Sequence, residues 1–200
     1  MFPHPLVLEG RLIRLEPLEE SHIAPLMEIA LATPKEWRYT STPLTSEQRD
    51  SYFAAAFEER DQGRGYPFVV LSQDDGRVVG TTRFADVVWR HQRGEVGFTW
   101  FRPAAFGTGI NVECKYLMLR YAFEELDFNR IHLYTDTRNR HSQHAIQALG
   151  AKREGVLRRH MILGDGFVRD TVVFAITDRE WPASRDLLLA RLTKRGLAPP

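Results

Sequence analysis

Between Glu95 and Leu126 the chain changes its hydrophobic period, and this change restricts the fold more than any other feature. Glu95–Phe101 alternates, which predicts a strand with Val96, Phe98 and Trp100 on one face. From about Asn111, Cys114, Leu117, Met118, Tyr121 and Ala122 follow the three- and four-residue spacing of an amphipathic helix ending near Leu126. Arg130–Thr135 returns to strand character, with Ile131 and Leu133 alternating against His132 and Tyr134. A helix between two strands requires a crossover, so these strands are predicted to run parallel or to splay.

The flanking segments extend the pattern. Leu6–Leu18 reads as a strand stopped by Pro17, and Glu19–Ala32 as a helix. Thr45 or Ser46 caps a second helix running to Gly63. Pro67–Ser72, Arg77–Val88 and Glu95–Phe101 read as an antiparallel meander whose first turn is Gln73-Asp74-Asp75-Gly76. Beyond the crossover come a helix over Ser142–Leu149, a hairpin of Ala151–Leu163 and Phe167–Thr177, and a helix from Trp181 to about Arg195. The order is that of a mixed α/β fold. No repeat, linker or low-complexity tract divides it, so 1–200 is read as a single domain of 200 residues.

Charge excludes some functions. Lys and Arg number 27 against 26 Asp and Glu, leaving a net charge of +1 and no bulk attraction to nucleic acid or membrane. No apolar run approaches the roughly 20 residues of a membrane span, and the first residues lack the basic and apolar regions of a signal peptide. The single Cys114 forms no internal disulfide, which fits a reducing compartment. A cytoplasmic protein is expected.

Two segments can carry chemistry. The first is Phe98–Gly109, a strand followed by Phe106-Gly107-Thr108-Gly109 opening into a helix. Glycines admit a ligand close to the backbone, and a helix start offers free N–H groups to a phosphate. No Gly-Lys-Ser/Thr follows and no third glycine is placed, so it is neither a P-loop nor a dinucleotide fingerprint. The second is Asn139-Arg140-His141-Ser142 at the mouth of the next helix, where Asn and Ser are also ordinary caps.

Taken in series, these residues resemble the acetyl-CoA-binding half of the GNAT N-acetyltransferases, most narrowly the ribosomal-protein N-terminal acetylase branch. The resemblance runs over Glu95–Arg159. It is carried by Gly97-Phe98, Phe106-Gly107-Thr108-Gly109, Tyr121-Ala122-Phe123-Glu124, Asn139-Arg140-His141-Ser142, Leu149-Gly150-Ala151 and Glu154-Gly155-Val156-Leu157. It implies a mixed, splayed sheet of about seven strands flanked by helices, with acetyl-CoA as cosubstrate. By the same resemblance, Phe98, Thr99 and Trp100 would bond the pantetheine arm and the turn Phe106–Ile110 (Gly107, Thr108, Gly109 and Ile110) would wrap the pyrophosphate. Asn139 would bond the cofactor arm, and Ser142 would lie near the sulfur. Family members often carry Gln or Arg where this chain has Ala104, which removes one side-chain contact and leaves the backbone cradle.

The implied reaction is direct attack of a primary amine, from a protein N-terminus or a small molecule, on the thioester. Ser142 is the candidate to protonate the leaving thiolate. The base is open. The position of the branch's glutamate falls at Met161, which takes no proton, so Glu95, His160 or a water chain would act instead. Glu95 stands at a strand end, where a carboxylate ordinarily faces solvent.

Trp37, Tyr39, Arg83 and Trp89 are candidates for the acceptor wall, though aromatics in irregular segments are often simply packed. Arg158-Arg159-His160 and Arg169-Asp170 read as cross-strand charges that could equally line an acceptor groove. His141 and His144 lack a third ligand, so no metal site is assigned. Cys114, by its spacing, is packing. The rival reading is a non-catalytic acyl-CoA-binding sensor or scaffold, with Met161 as its support. A cofactor-free dimerisation protein comes third, and a homodimer is left open.

Overall fold

The computed structural model describes residues 1–197, and the last three of the expected 1–200 span lie outside the described residues. Its strands are β1 (Leu8–Glu9), β2 (Ile13–Pro17), β3 (Tyr66–Ser72), β4 (Val78–Val88), β5 (Arg93–Phe101), β6 (Arg130–Asp136), β7 (Lys152–Ile162) and β8 (Val168–Thr177). They form one sheet in the order β1-β2-β3-β4-β5-β6-β8-β7. The α-helices are α1 (Ile23–Ala32), α2 (Ser46–Asp61), α3 (Ile110–Arg120), α4 (Arg140–Gln147) and α5 (Trp181–Thr193). A π-helical turn, Tyr121–Glu125, continues α3.

The expected first strand is two strands. The buried carboxylate of Glu113, on α3, accepts the N–H groups of Arg11, Leu12 and Ile13 at 2.8, 2.8 and 3.0 Å, so the chain can turn there without orphaned amides. Thr45 caps α2 through the N–H of Gln48, as its sequence predicts.

The crossover falls where the period changes. β5 and β6 are parallel, and they pair only over Arg93–Glu95 against Arg130–His132. β6 stays paired to β8 as far as Asp136, while β5 runs on to Phe101. Beyond Glu95 the two strands therefore part.

β5 also bulges. Its pairing to β4 steps from Gly97↔Arg83 to Trp100↔Thr81, three residues against two, and Phe98 takes a φ of 52°. This corrects the expectation of one face for Val96, Phe98 and Trp100. The extra residue reverses the alternation, so Val96 joins the core beneath α3 and α5 with Leu117, Met118, Ile131 and Phe174, which also holds Cys114. Trp100 enters the smaller core under α1 and α2, with Leu26, Trp37, Phe53 and Val69. No helix among the described residues is long and apolar enough to cross a membrane.

Candidate active site

Where β5 and β6 part, a cavity opens. Phe98, Thr99 and Trp100 of β5 form one wall, and Tyr134, Thr135, Asn139 and Ser142 form the other. Tyr39–Thr42 and Tyr52 cover it from the α1–α2 side, and Met161 and Arg169 close it from the β7–β8 hairpin. From Val96 onward the edge of β5 facing this cleft has no β6 partner, so its backbone polar groups are free to bond a ligand.

The bulge is fixed from both faces. Arg83, 3% exposed, places its guanidinium 4.0 Å from the Phe98 ring centroid and 4.6 Å from that of Tyr52. The Tyr52 hydroxyl accepts from Trp100 Nε1 at 3.2 Å. Beneath, Thr99 Oγ1 bonds Thr82 Oγ1 at 2.7 Å and accepts from the buried Lys115 ammonium. Arg83 thus acts on the cavity through Phe98 and Tyr52 rather than by lining it.

Glu95 lines the cavity and is 9% exposed, which corrects the expectation of a solvent-facing charge. Burial pushes its carboxyl up to about 7, with Asp86 and Glu59 adding to the rise and Arg83 and Arg169 opposing it. Its carboxylate folds over Gly97, where the missing side chain leaves room. His132, level with Glu95 on β6, is held neutral: burial lowers it to about 4, although Asp86 Oδ2 lies 3.4 Å from its Nε2. His160 is exposed on β7, bonds Thr171 Oγ1 through Nδ1 at 3.1 Å, and does not line the cavity. Its neighbour Met161 does.

The glycine turn stands at the start of α3. Gly107 and Gly109 have φ of 76° and 103°; a Cβ on Gly107 would meet no protein atom within 4 Å, so the turn is open there, whereas one on Gly109 would press on Arg195, Leu197 and Leu12. Thr108 Oγ1 donates to Ala105 O at 2.7 Å, and Phe106 is 46% exposed. The cap residue Gly109 offers α3 no side chain, and of the first-turn N–H groups, which lack helical acceptors, that of Ile110 reaches Thr108 Oγ1 at 3.4 Å. Asn139 caps α4 by accepting from Ser142 N at 3.0 Å, and Ser142 Oγ makes no hydrogen bond among the described residues. Free N–H groups at a helix start suit a phosphate, and the turn follows the same strand, β5, that walls the cleft.

Two predicted wall residues lie elsewhere. Trp37, 6% exposed, donates its Nε1 to Ala30 O at 2.9 Å within the smaller core. Trp89 donates to Gly63 O at 2.7 Å and packs between Phe2 and Phe128, at 5.0 and 5.6 Å between ring centroids. Neither lines the cavity. Tyr52 and Tyr134 do and were missed: Tyr52 reads as one apolar position of a helix, and Tyr134 as the second face of a strand.

Comparison with known proteins places the chain in a family. The acetyltransferase (GNAT) domain family matches residues 12–152. The chain is 30% identical over 124 residues to the uncharacterized N-acetyltransferase YoaA of Bacillus subtilis (strain 168), a match covering 62% of this chain and 67% of that protein. It is 26% identical over 180 residues to the probable N-acetyltransferase YjcK of the same strain, covering 85% and 96%. A structure described as an acetyltransferase from T. thermophilus superposes with a TM-score of 0.84 at 35% identity, over 96% of this chain and all of that one. Mycobacterium smegmatis RimJ in complex with CoA-disulfide shares the fold, with a TM-score of 0.79 at 24% identity over 94% and 95% of the two chains.

Proposed function

The chain belongs to the GNAT acetyltransferase family, and on that premise we propose that it transfers the acetyl group of acetyl-CoA to a primary amine by direct attack. The acceptor is a small molecule or a peptide N-terminus, and residues 1–200 act as one catalytic domain. The observation that carries the reading is a buried carboxylate, Glu95, and an unengaged hydroxyl, Ser142 Oγ, on one cavity at the parting of β5 and β6.

The unpaired edge of β5 over Phe98–Trp100 and the amide of Asn139 would hold the pantetheine arm. The glycine turn, Phe106–Ile110, would hold the pyrophosphate with the N–H groups of Gly107 and Gly109, since those of Phe106 and Thr108 already bond Pro103 O and Ala105 O. The thioester supplies an activated acetyl carbon and a thiolate leaving group. Glu95 takes a proton from the attacking nitrogen as the N–C bond forms, which a carboxyl with a pKa of about 7 can do at neutral pH. A backbone N–H at the bulge faces the carbonyl oxygen as it gains charge. Ser142 gives a proton to the sulfur as the C–S bond breaks.

Met161 was the support for a non-catalytic sensor. A carboxylate on β5, separated from β7 by two strands, answers that objection, since it faces the same cavity as Met161. The test is calorimetric titration with acetyl-CoA, CoA and ATP, followed by thiol release with an amine panel. Saturable binding of acetyl-CoA and CoA but not ATP, with amine-dependent thiol release, is expected. Binding without turnover of any amine would return the sensor reading, and no binding would remove both.

A further inference from the structure

Arg169 lies under the influence of the Asp136 and Glu95 charges but makes no salt bridge among the described residues. The residue is 6% exposed and lines the cavity that holds Glu95 and Ser142. Its Nε donates to Thr171 Oγ1 at 2.9 Å, and this is its one side-chain hydrogen bond among the described residues. Asp136, the carboxylate that would naturally neutralise it, is taken: Arg138 grips both its oxygens, at 3.0 and 2.7 Å, and adds its own N–H at 2.8 Å. The two terminal nitrogens of Arg169 are left for whatever enters the cavity.

A largely buried guanidinium gains from a hydrogen-bonded anion, and arginine keeps its charge throughout. A planar fork of two donors matches a carboxylate. The same cavity carries Glu95, which suits an ammonium and disfavours a dianion. We infer that the acceptor is a primary amine that also bears a carboxylate, an amino acid in the wide sense, with the carboxylate on Arg169 and the amine toward Glu95. The inference rests on the acetyltransferase reading and narrows its acceptor class.

The experiment measures thiol release with acetyl-CoA and a panel of α- and ω-amino acids, each beside its neutral amide and its aminophosphonate. At least one acid should be turned over with a kcat/KM about 100-fold above that of its amide, since a buried polar group left unpaired penalises the analogue. Arg169→Gln should bring acid and amide within about threefold while acetyl-CoA affinity, read by calorimetry, stays unchanged. Amides equal to acids, aminophosphonates preferred, or no acid turned over while acetyl-CoA binds would each overturn the inference. If Arg169→Gln does not fold, the comparison on the unaltered protein decides alone. Failure to bind acetyl-CoA is a separate result, and it would overturn the acetyltransferase reading beneath.

Discussion

The carboxylate of Glu95 lies in the space that a side chain on Gly97 would fill. The glycine therefore sets where the carboxylate sits, and a methyl group there must push it aside. Gly97→Ala is expected to lower kcat about tenfold or more, because a displaced base no longer reaches the nitrogen. Acetyl-CoA affinity should hold. Equal kcat in the variant, by steady-state thiol release, would detach Glu95 from the chemistry.

Burial of Glu95 has a consequence for stability that runs opposite to its use. Its folded pKa of about 7 stands above the ordinary 4.5, so the stabilisation is full below about pH 4.5 and is lost as pH rises through 7. His132, lowered to about 4 from 6.5, acts in the other sense: its contribution is lost as pH falls from 6.5 to 4. Glu95→Gln should therefore be more stable than the unaltered protein at pH 8, by about 1–3 kcal/mol. Urea unfolding at pH 8 and pH 4.5 checks this, with the difference shrinking or reversing at the lower pH.

At the glycine turn, the Cβ of Gly107→Val would meet no protein atom within 4 Å, but the substitution takes a β-branched residue to a φ of 76°. A loss of about 1–2 kcal/mol in stability follows from that conformation. The larger effect is expected on ligand binding, with acetyl-CoA affinity falling at least tenfold by calorimetry in a protein that still unfolds cooperatively. Unchanged affinity would move the pyrophosphate elsewhere.

Glu113 makes a prediction for the fold alone. Its carboxylate is the acceptor for three consecutive amides between β1 and β2. Glu113→Ala removes the acceptor of all three, of which only the Ile13 amide is buried, and should cost about 1–3 kcal/mol, since solvent can reach the other two. A change below 1 kcal/mol in urea unfolding would show that water replaces the carboxylate.

The architecture was readable in the residues where local chemistry and fold agree. The period change at Asn111, the Gly164-Asp165-Gly166 hairpin and the Asn139 cap each act over a few residues, and each marks the element it predicts. Less readable was whatever depends on another part of the chain. Nothing near Phe98 announces a positive φ, because the bulge is held by Arg83 on β4 and Lys115 on α3. Glu95 looked like a surface charge because its burial comes from strands and loops distant in sequence. Trp37 and Trp89 looked like site residues because irregular segments can equally turn aromatics inward. Arg169 is visible as a charge, but that it makes no salt bridge shows only once Arg138 is seen to occupy Asp136.

The central claim is that Glu95 takes the proton from the amine in the β5–β6 cleft. The pH dependence of kcat/KM, measured with one amine for the unaltered protein and for Glu95→Gln, tests it most directly. The account predicts a rate that rises with pH through an inflection near 7 in the former. In the variant it predicts about 100-fold lower activity with that inflection gone. A variant that keeps both the activity and the inflection would contradict the account.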